Sequence, residues 1–449
     1  MILRNRCLLL TRRGLSTSND RGLLRFSRTN NKSYLKVRGP DSPKFLNGLL
    51  TSKVIPFFVK KNLTTINPDE EELTNTVFEF DETQTNWGVY NEMSYNGAYI
   101  SRFGQYAGIL NSKGKLITDT ILYPAPLSSA DAKVMRYPTY LLEFDASIVD
   151  YIQDLFNIHK LTSKVKIKKA NDLISWDLSL QLPPEPTNPW VTNLLDPSTT
   201  TKTPEDALAF AQELVSAFFQ GSEDQIIALY IERRTDEILE TNGKAPQMFR
   251  VVTTSDTQNV SKIFNPVGLP YPCSIEEVDQ SFFRESRFEA GFVDSTSDFK
   301  PESLLPLELN FDYLPNAVSA DKGCYMGQEL TARTLATGIL RKRLVPVTLT
   351  NTDALTPNAK YHDIMLDSQL TTTTTTTTSS SSPFGVAPSK PRQRPAGSLI
   401  AHQGNLGVAI LRTEHFKLAF DQPQDKVLFH IAGTPVGVIP KKPFWLEEQ

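Results

Sequence analysis

The spacing of apolar positions divides most of the chain into elements. Tyr34, Leu35 and Val37 predict a strand that Gly39-Pro40 ends. Asp41 or Ser42 is placed to cap a following helix with Phe45, Leu46, Leu49 and Leu50 on one face. In "YAGILNSKGKLITDTILYP" (106–124), two apolar runs around Asn111–Gly114 predict a β-hairpin. "TYLLEFD" predicts a strand, and "SIVDYIQDLFNIHKL" an amphipathic helix with Ile148, Tyr151, Ile152, Leu155 and Phe156 inward. "TPEDALAFAQELVSAFFQ" has a helix-start signature at Thr203-Pro204. A second helix is expected over "EDQIIALYIERRTDEILETNG", ending on Asn242-Gly243. "MFRVVTT" returns to strand. Near the C-terminus, "LVPVTL", "SLIAHQGNLGVAILR" and "TPVGVIP" are short strands with glycine turns, the pattern of a small β-barrel.

Between these elements lie polar or biased segments. Residues 59–90 are acidic and weakly periodic, and residues 183–205 are rich in Pro and Thr, so insertions are expected near 59–90 and 184–245. "LTTTTTTTTSSSSPFGVAPSKPRQRPAG" (370–397) has almost nothing to bury and is expected to be a disordered loop interrupting the barrel, near 367–397. The expected organisation is a presequence over 1–28, an α+β body over 29–345, and a barrel over 346–449.

A length of 449 residues suggests two or three domains. The net charge of −3 gives no global signal for nucleic acid, and no run of about 18 apolar residues is present to cross a bilayer as a helix. Three cysteines, Cys7, Cys273 and Cys324, cannot make a disulfide framework, which favours a reducing compartment. The first 28 residues carry seven arginines and only Asp20 as an acid, the composition of a mitochondrial transit peptide. The expected location is the mitochondrial matrix, with Cys273 and Cys324 left in the mature chain.

The chemistry concentrates in "KGCYMGQELTART" (322–334). None of the five histidines lies in a recognisable cysteine-hydrolase context. Metal-binding C-x-x-C and H-E-x-x-H spacings, a dinucleotide-binding G-x-G-x-x-G and a P-loop are all absent. What remains is a cysteine between Gly323 and Gly327, at a bend where backbone can approach a ligand. A helix starting near Gln328, with Lys322 close by, would favour the thiolate of Cys324. The alternative is a buried cysteine at a turn, and the residues alone leave both readings open.

The octet Lys-Gly-Cys-Tyr-x-Gly-Gln-Glu resembles the signature of folate-binding proteins related to the glycine-cleavage aminomethyltransferase, in their iron–sulfur assembly branch. "GPDSPKFLNGLLTS", "YAGILNSKGKLITDTILY", "RFEAGF", "LPLELNFD" and "RKRLVPV" follow that family's order. The resemblance implies an α+β aminomethyltransferase-like fold, with intertwined α+β units around a cavity and a small C-terminal β-barrel. It also implies a non-catalytic factor that matures 4Fe–4S proteins, with A-type carrier proteins as partners and no nucleic acid.

Cys324 would then be a cluster ligand shared with a partner, since one cysteine cannot hold a cluster. Tetrahydrofolate is the implied cofactor. Glu289 matches the carboxylate that takes the pterin edge, with Arg287, Asp119, Tyr325 and Lys322 as further cofactor-binding candidates and Phe288 as apolar packing. The aminomethyltransferases carry two adjacent aspartates. Thr118 replaces the first here and Asp119 keeps the second, which argues against the alternative of a folate-dependent aminomethyltransferase. A degenerate scaffold that binds no folate is a third reading. The basic run Arg341-Lys342-Arg343 is a candidate for an anionic folate tail or an acidic partner.

Overall fold

The structure is a computed structural model, and it describes residues 22–56, 81, 83, 87–92, 97–127, 135–182, 201–241, 245–265, 272–356, 360–367, 394–421 and 427–446. The expected Thr/Ser loop from 368 to 393, the acidic stretch from 57 to 80 and the Asn242-Gly243 cap all lie outside them. In chain order, the strands begin with β1 (Gly22–Thr29), β2 (Lys32–Arg38), β3 (Val89–Asn91), β4 (Tyr99–Ser101), β5 (Gln105–Leu110) and β6 (Leu116–Pro124). They continue with β7 (Thr139–Asp145), β8 (Lys166–Ala170), β9 (Leu173–Gln181), β10 (Ile226–Ile231), β11 (Gln247–Thr254) and β12 (Cys273–Glu277). The last six are β13 (Lys342–Thr350), β14 (His362–Leu366), β15 (Gly397–Gln403), β16 (Leu406–Arg412), β17 (Phe429–Ile431) and β18 (Gly437–Pro440). The helices used below are α1 (Ser42–Asn47), α2 (Val149–Lys160), α3 (Pro204–Phe219), α4 (Asp236–Thr241), α5 (Gln280–Ala290), α6 (Ser295–Asp298) and α7 (Gln328–Thr337).

The chain divides into two compact units. The first comprises Met1–Gln280, Ser295–Pro306 and Phe311–Ala336, and the second Ser281–Asp294, Leu307–Asn310 and Thr337–Gln449. The first contains two five-stranded sheets, in the orders β10-β11-β9-β1-β12 and β5-β6-β7-β2-β8. One face of the first sheet packs Phe26, Trp176, Leu178 and Val251 against Leu214, Val215 and Phe218 of α3. One face of the second packs Leu35, Val37 and Leu142 against Phe45 and Leu46 of α1 and Ile152 and Phe156 of α2. In the second unit, strands β13-β16-β15-β14-β17-β18 close into a barrel, which removes every edge and fills its interior with Val345, Val347, Leu399 and Leu411.

The hairpin, the strand at 139–145 and the amphipathic helix form where the pattern places them, with β5 and β6 antiparallel. Thr203 caps α3 by accepting a hydrogen bond from the Asp206 N–H at 3.1 Å. Asp41 caps α1 without a side-chain hydrogen bond, and its carboxylate instead accepts from the Lys164 N–H at 2.6 Å.

Several expectations are corrected. Tyr151 faces solvent rather than the core, because α2 presents Val149, Ile152, Leu155 and Phe156 to its sheet. The helix expected over 223–243 is interrupted by strand β10. Its Ile, Leu and Tyr residues suit a pleated, buried position, with a 3-10 turn (Glu223–Gln225) before it and α4 after it. From 201 onward the segment expected as an insertion is built into the fold, with β10 in a sheet and α3 in its core. Residues 22–28, expected in the presequence, form with Thr29 a strand paired with β9 and β12, with Leu24 and Phe26 buried. The second unit also begins before residue 345, since it takes in Ser281–Asp294 and Leu307–Asn310.

Candidate functional site

The bend at 321–328 is held by several separate tethers. Lys322 is 8% exposed, and its Nζ donates to the carbonyls of Leu50 (2.6 Å) and Ser52 (2.7 Å) while lying 4.6 Å from the centre of the Tyr325 ring. The N–H of Met326 donates to the Gly48 carbonyl at 3.1 Å, and that of Tyr325 to Oε1 of Gln328 at 3.1 Å, at the start of α7. Gly327 has φ +74°, and a Cβ there would stand 2.2 Å from the Asn111 carbonyl oxygen in the β5–β6 turn. Of the two glycines flanking Cys-Tyr-Met, this one needs its freedom.

Lys322 and Tyr325 are buried while Cys324 between them is exposed. The thiol is therefore held outward by a rigid bend, and the buried-cysteine alternative falls away.

Burial pulls the Lys322 ammonium down to about 7, with Glu92 opposing the shift and the Lys53 charge adding to it. Lys53 itself lies 3.2 Å from Asp321 Oδ2 and 3.4 Å from Glu92 Oε2. Burial also lifts the Tyr325 phenol to about 12.

Asp119 is buried on β6. Its Oδ2 accepts from the Tyr106 hydroxyl (2.8 Å) and the Ser295 N–H (3.1 Å). In the second unit, Glu289 is 67% exposed with Oε1 3.9 Å from Lys441 Nζ, and Arg287 lies 3.9 Å from Asp294 on the same helix–loop segment. Phe288 is fully buried, with the Arg284 guanidinium 5.1 Å from its ring centre. In the basic run, Lys342 pairs with Glu308 at 3.2 Å, and Arg343 donates to the Leu307 carbonyl. Cys324, Lys322 and Tyr325 thus share one bend, Asp119 lies elsewhere in the first unit, and Glu289 and Arg287 belong to the second.

The sequence reading missed two buried charge networks in the first unit. Arg250 on β11 joins Asp177 of its own sheet and Glu143 of the other, both at 2.7 Å, and Glu143 also accepts from the hydroxyls of Tyr34 (3.2 Å) and Tyr123 (3.1 Å). Burial raises both phenols well above their ordinary value, and the Glu143 charge adds to the shift. The second network pairs Arg234 with Glu232 at 2.6 Å and places the guanidinium 4.4 Å from the centre of the Tyr106 ring. Burial by itself would raise the Glu232 carboxyl, but the charge and hydrogen bonds of Arg234 bring it below its ordinary value. The available signal was strand alternation in "ALYIERR", which places Tyr230 and Glu232 on one face.

Residues 341–448 match the family described as CAF17, C-terminal beta-barrel domain. The chain is 44% identical to the iron–sulfur cluster assembly factor IBA57, mitochondrial, of Saccharomyces cerevisiae, over 95% of this chain and 90% of that protein. It is 43% identical to the IBA57 homolog of Candida glabrata (96% and 92% covered), and 35% identical to that of Candida albicans (70% and 69%). A solved structure of the glycine cleavage system aminomethyltransferase T from Bartonella henselae matches at 12% identity with TM-score 0.48, over 99% of this chain and 89% of that one. With relatives this similar along nearly its whole length, the chain belongs to the IBA57 family of mitochondrial iron–sulfur cluster assembly factors.

Proposed function

We propose that this chain works in mitochondria as an assembly factor for 4Fe–4S proteins, with Cys324 offered as one ligand to a cluster in transit. The observation that carries the reading is the outward thiol on a tethered bend. A cluster needs several thiolates, and among the described residues no three His, Cys, Asp or Glu side chains gather as a metal site. The remaining ligands must come from another protein. An A-type carrier, which contributes cysteines of its own, meets that requirement, and the cluster is cargo rather than a resident cofactor.

The aminomethyltransferase reading is weaker on two counts. Asp119, the one retained aspartate, already accepts two hydrogen bonds, and the similar relatives are named as assembly factors. For tetrahydrofolate the better-fitting acid is Glu289, whose exposed carboxylate retains the capacity to accept a paired N–H edge.

Cells carrying Cys324→Ala should lose 4Fe–4S enzyme activities while keeping the protein at normal abundance. Normal activities would remove the proposed role of the thiol. A titration of tetrahydrofolate against wild type and Glu289→Ala, followed by intrinsic fluorescence, addresses the ligand separately. Equal affinities would exclude Glu289 from pterin recognition.

A further inference from the structure

Strands β2 and β8 place four cations directly opposite one another. In the antiparallel register Lys36 pairs with Lys168 and Arg38 with Lys166, and all four side chains are exposed. Alternation along a strand puts them on one face of the sheet, with Tyr34 and Ala170 as the next pair on that face. Tyr34 is buried, so the face is covered there and opens from Lys36 outward. Like charges directly opposite each other destabilise a strand pair. No ion pair engages any of the four among the described residues. The other face of β8 is treated differently, since Lys169 is paired with Asp150 of α2.

Lysines on an edge strand guard against unwanted strand addition, and that explanation covers Lys166 and Lys168 on β8, the outermost strand. It does not cover Lys36 and Arg38. They lie on β2, which is paired on both sides.

We infer that the Lys36–Arg38–Lys166–Lys168 face docks an acidic, extended segment of a partner protein. Cations repeat about 7 Å apart along each strand and about 5 Å apart across the pair. An extended peptide with carboxylates at alternate positions has that same repeat, so each acid meets a cation without rearrangement. A lipid surface fits less well, because membrane-surface binding combines cations with apolar side chains on one face. The neighbours on this face, Leu141 and Tyr123, are buried. The exposed Tyr151 and Ile158 are on α2, which packs on the opposite face. This inference goes beyond the role of Cys324 and does not depend on it.

The test uses the full chain and a fluorescein-labelled peptide of about ten residues that alternates glutamate and threonine, read by fluorescence anisotropy. Saturable binding is expected, weakened by raising salt from about 50 to about 200 mM. Lys36→Glu with Lys168→Glu should weaken it about tenfold or more. The neutralised pair Lys36→Gln with Lys168→Gln should weaken it in the same direction, and a peptide of equal composition with its glutamates in one block should bind less well. Reversing the exposed Lys113 and Lys417 instead makes the same change in net charge and should leave the affinity within about threefold. Absence of binding, equal effects of the two reversals, or indifference to glutamate spacing would each overturn the inference. So would binding to anionic phosphatidylglycerol vesicles in place of the peptide.

Discussion

Replacing Lys322 with Met tests the account of the bend through a pH dependence of stability. Folding moves the ammonium from water to a position where it is 8% exposed, with no ion-paired carboxylate among the described residues. Its pKa falls from 10.5 to about 7. Below about pH 7 both states hold the proton, so the folded state carries the whole penalty. That penalty is at most about 5 kcal/mol, from a difference of about 3.5 units at 1.36 kcal/mol each. Between about pH 7 and pH 10.5 the unfolded chain holds a proton that the folded chain has released, so stability rises with pH. From about pH 6.5 to about pH 9 the wild type gains about 2.5 kcal/mol by this route. The neutral amine keeps two N–H donors, so both carbonyl bonds survive deprotonation.

Lys322→Met removes the titration and leaves the carbonyls of Leu50 and Ser52 without that donor, a pH-independent loss of about 1–3 kcal/mol for each. The variant should therefore lie close to wild type at about pH 6.5 and fall about 2.5 kcal/mol behind it by about pH 9, as groups common to both proteins cancel. Urea denaturation of both proteins at the two pH values, followed by far-UV circular dichroism, measures the difference directly. Parallel stability curves, with the gap changing by less than about 0.5 kcal/mol, would show that Lys322 is not desolvated as described and would refute the reasoning.

Two further substitutions probe the scaffold. Gly327→Ala places a methyl group against the Asn111 carbonyl at a φ of +74°, and a loss of about 2 kcal/mol or more is expected by urea denaturation; a neutral result would mean the bend does not rest on the hairpin turn. Arg250→Met strands Glu143 and Asp177 in the interior, with an expected loss of about 3–5 kcal/mol. Adding Glu143→Gln should restore part of it, and additive losses in the double variant would argue against a coupled network.

What the sequence revealed depended on how local each signal was. The β5–β6 hairpin and α1 carry their apolar period and their turn residues within about twenty positions, so they were legible. Strand β10 was misread because "ERRTDEIL" is built from strong helix formers, whereas the buried "IIALYI" before it is committed to strand by pairing with β11. The arginines of "GLLRFSRT" satisfied a compositional rule for presequences and hid the alternation of Leu24 and Phe26. At the site, the cysteine, its glycine bend and the helix after it were all visible. The burial of Lys322 was not, since its acceptors lie 270 and 272 positions away, and the commitment of Asp119 to Ser295 was hidden by a separation of 176 positions.

The contrast between buried and exposed polar groups in the first unit bears on how it would act. An outward thiol on a flexible loop would have to be ordered again at each encounter with a partner. Here the tethers of 322–327 reach back to Gly48, Leu50, Ser52 and the turn at Asn111, so that ordering is already present in the fold. The Arg250 network extends the same logic inward. A guanidinium bonded to one carboxylate on each sheet penalises any slip of one sheet past the other, because a slip would leave charges buried without partners. Burying Lys322 weakens folding at low pH, yet it anchors the chain just before Cys324, as the Met326 N–H does just after it. That exchange of stability for placement suits the proposed role, in which a partner's ligands would meet the sulfur in one position.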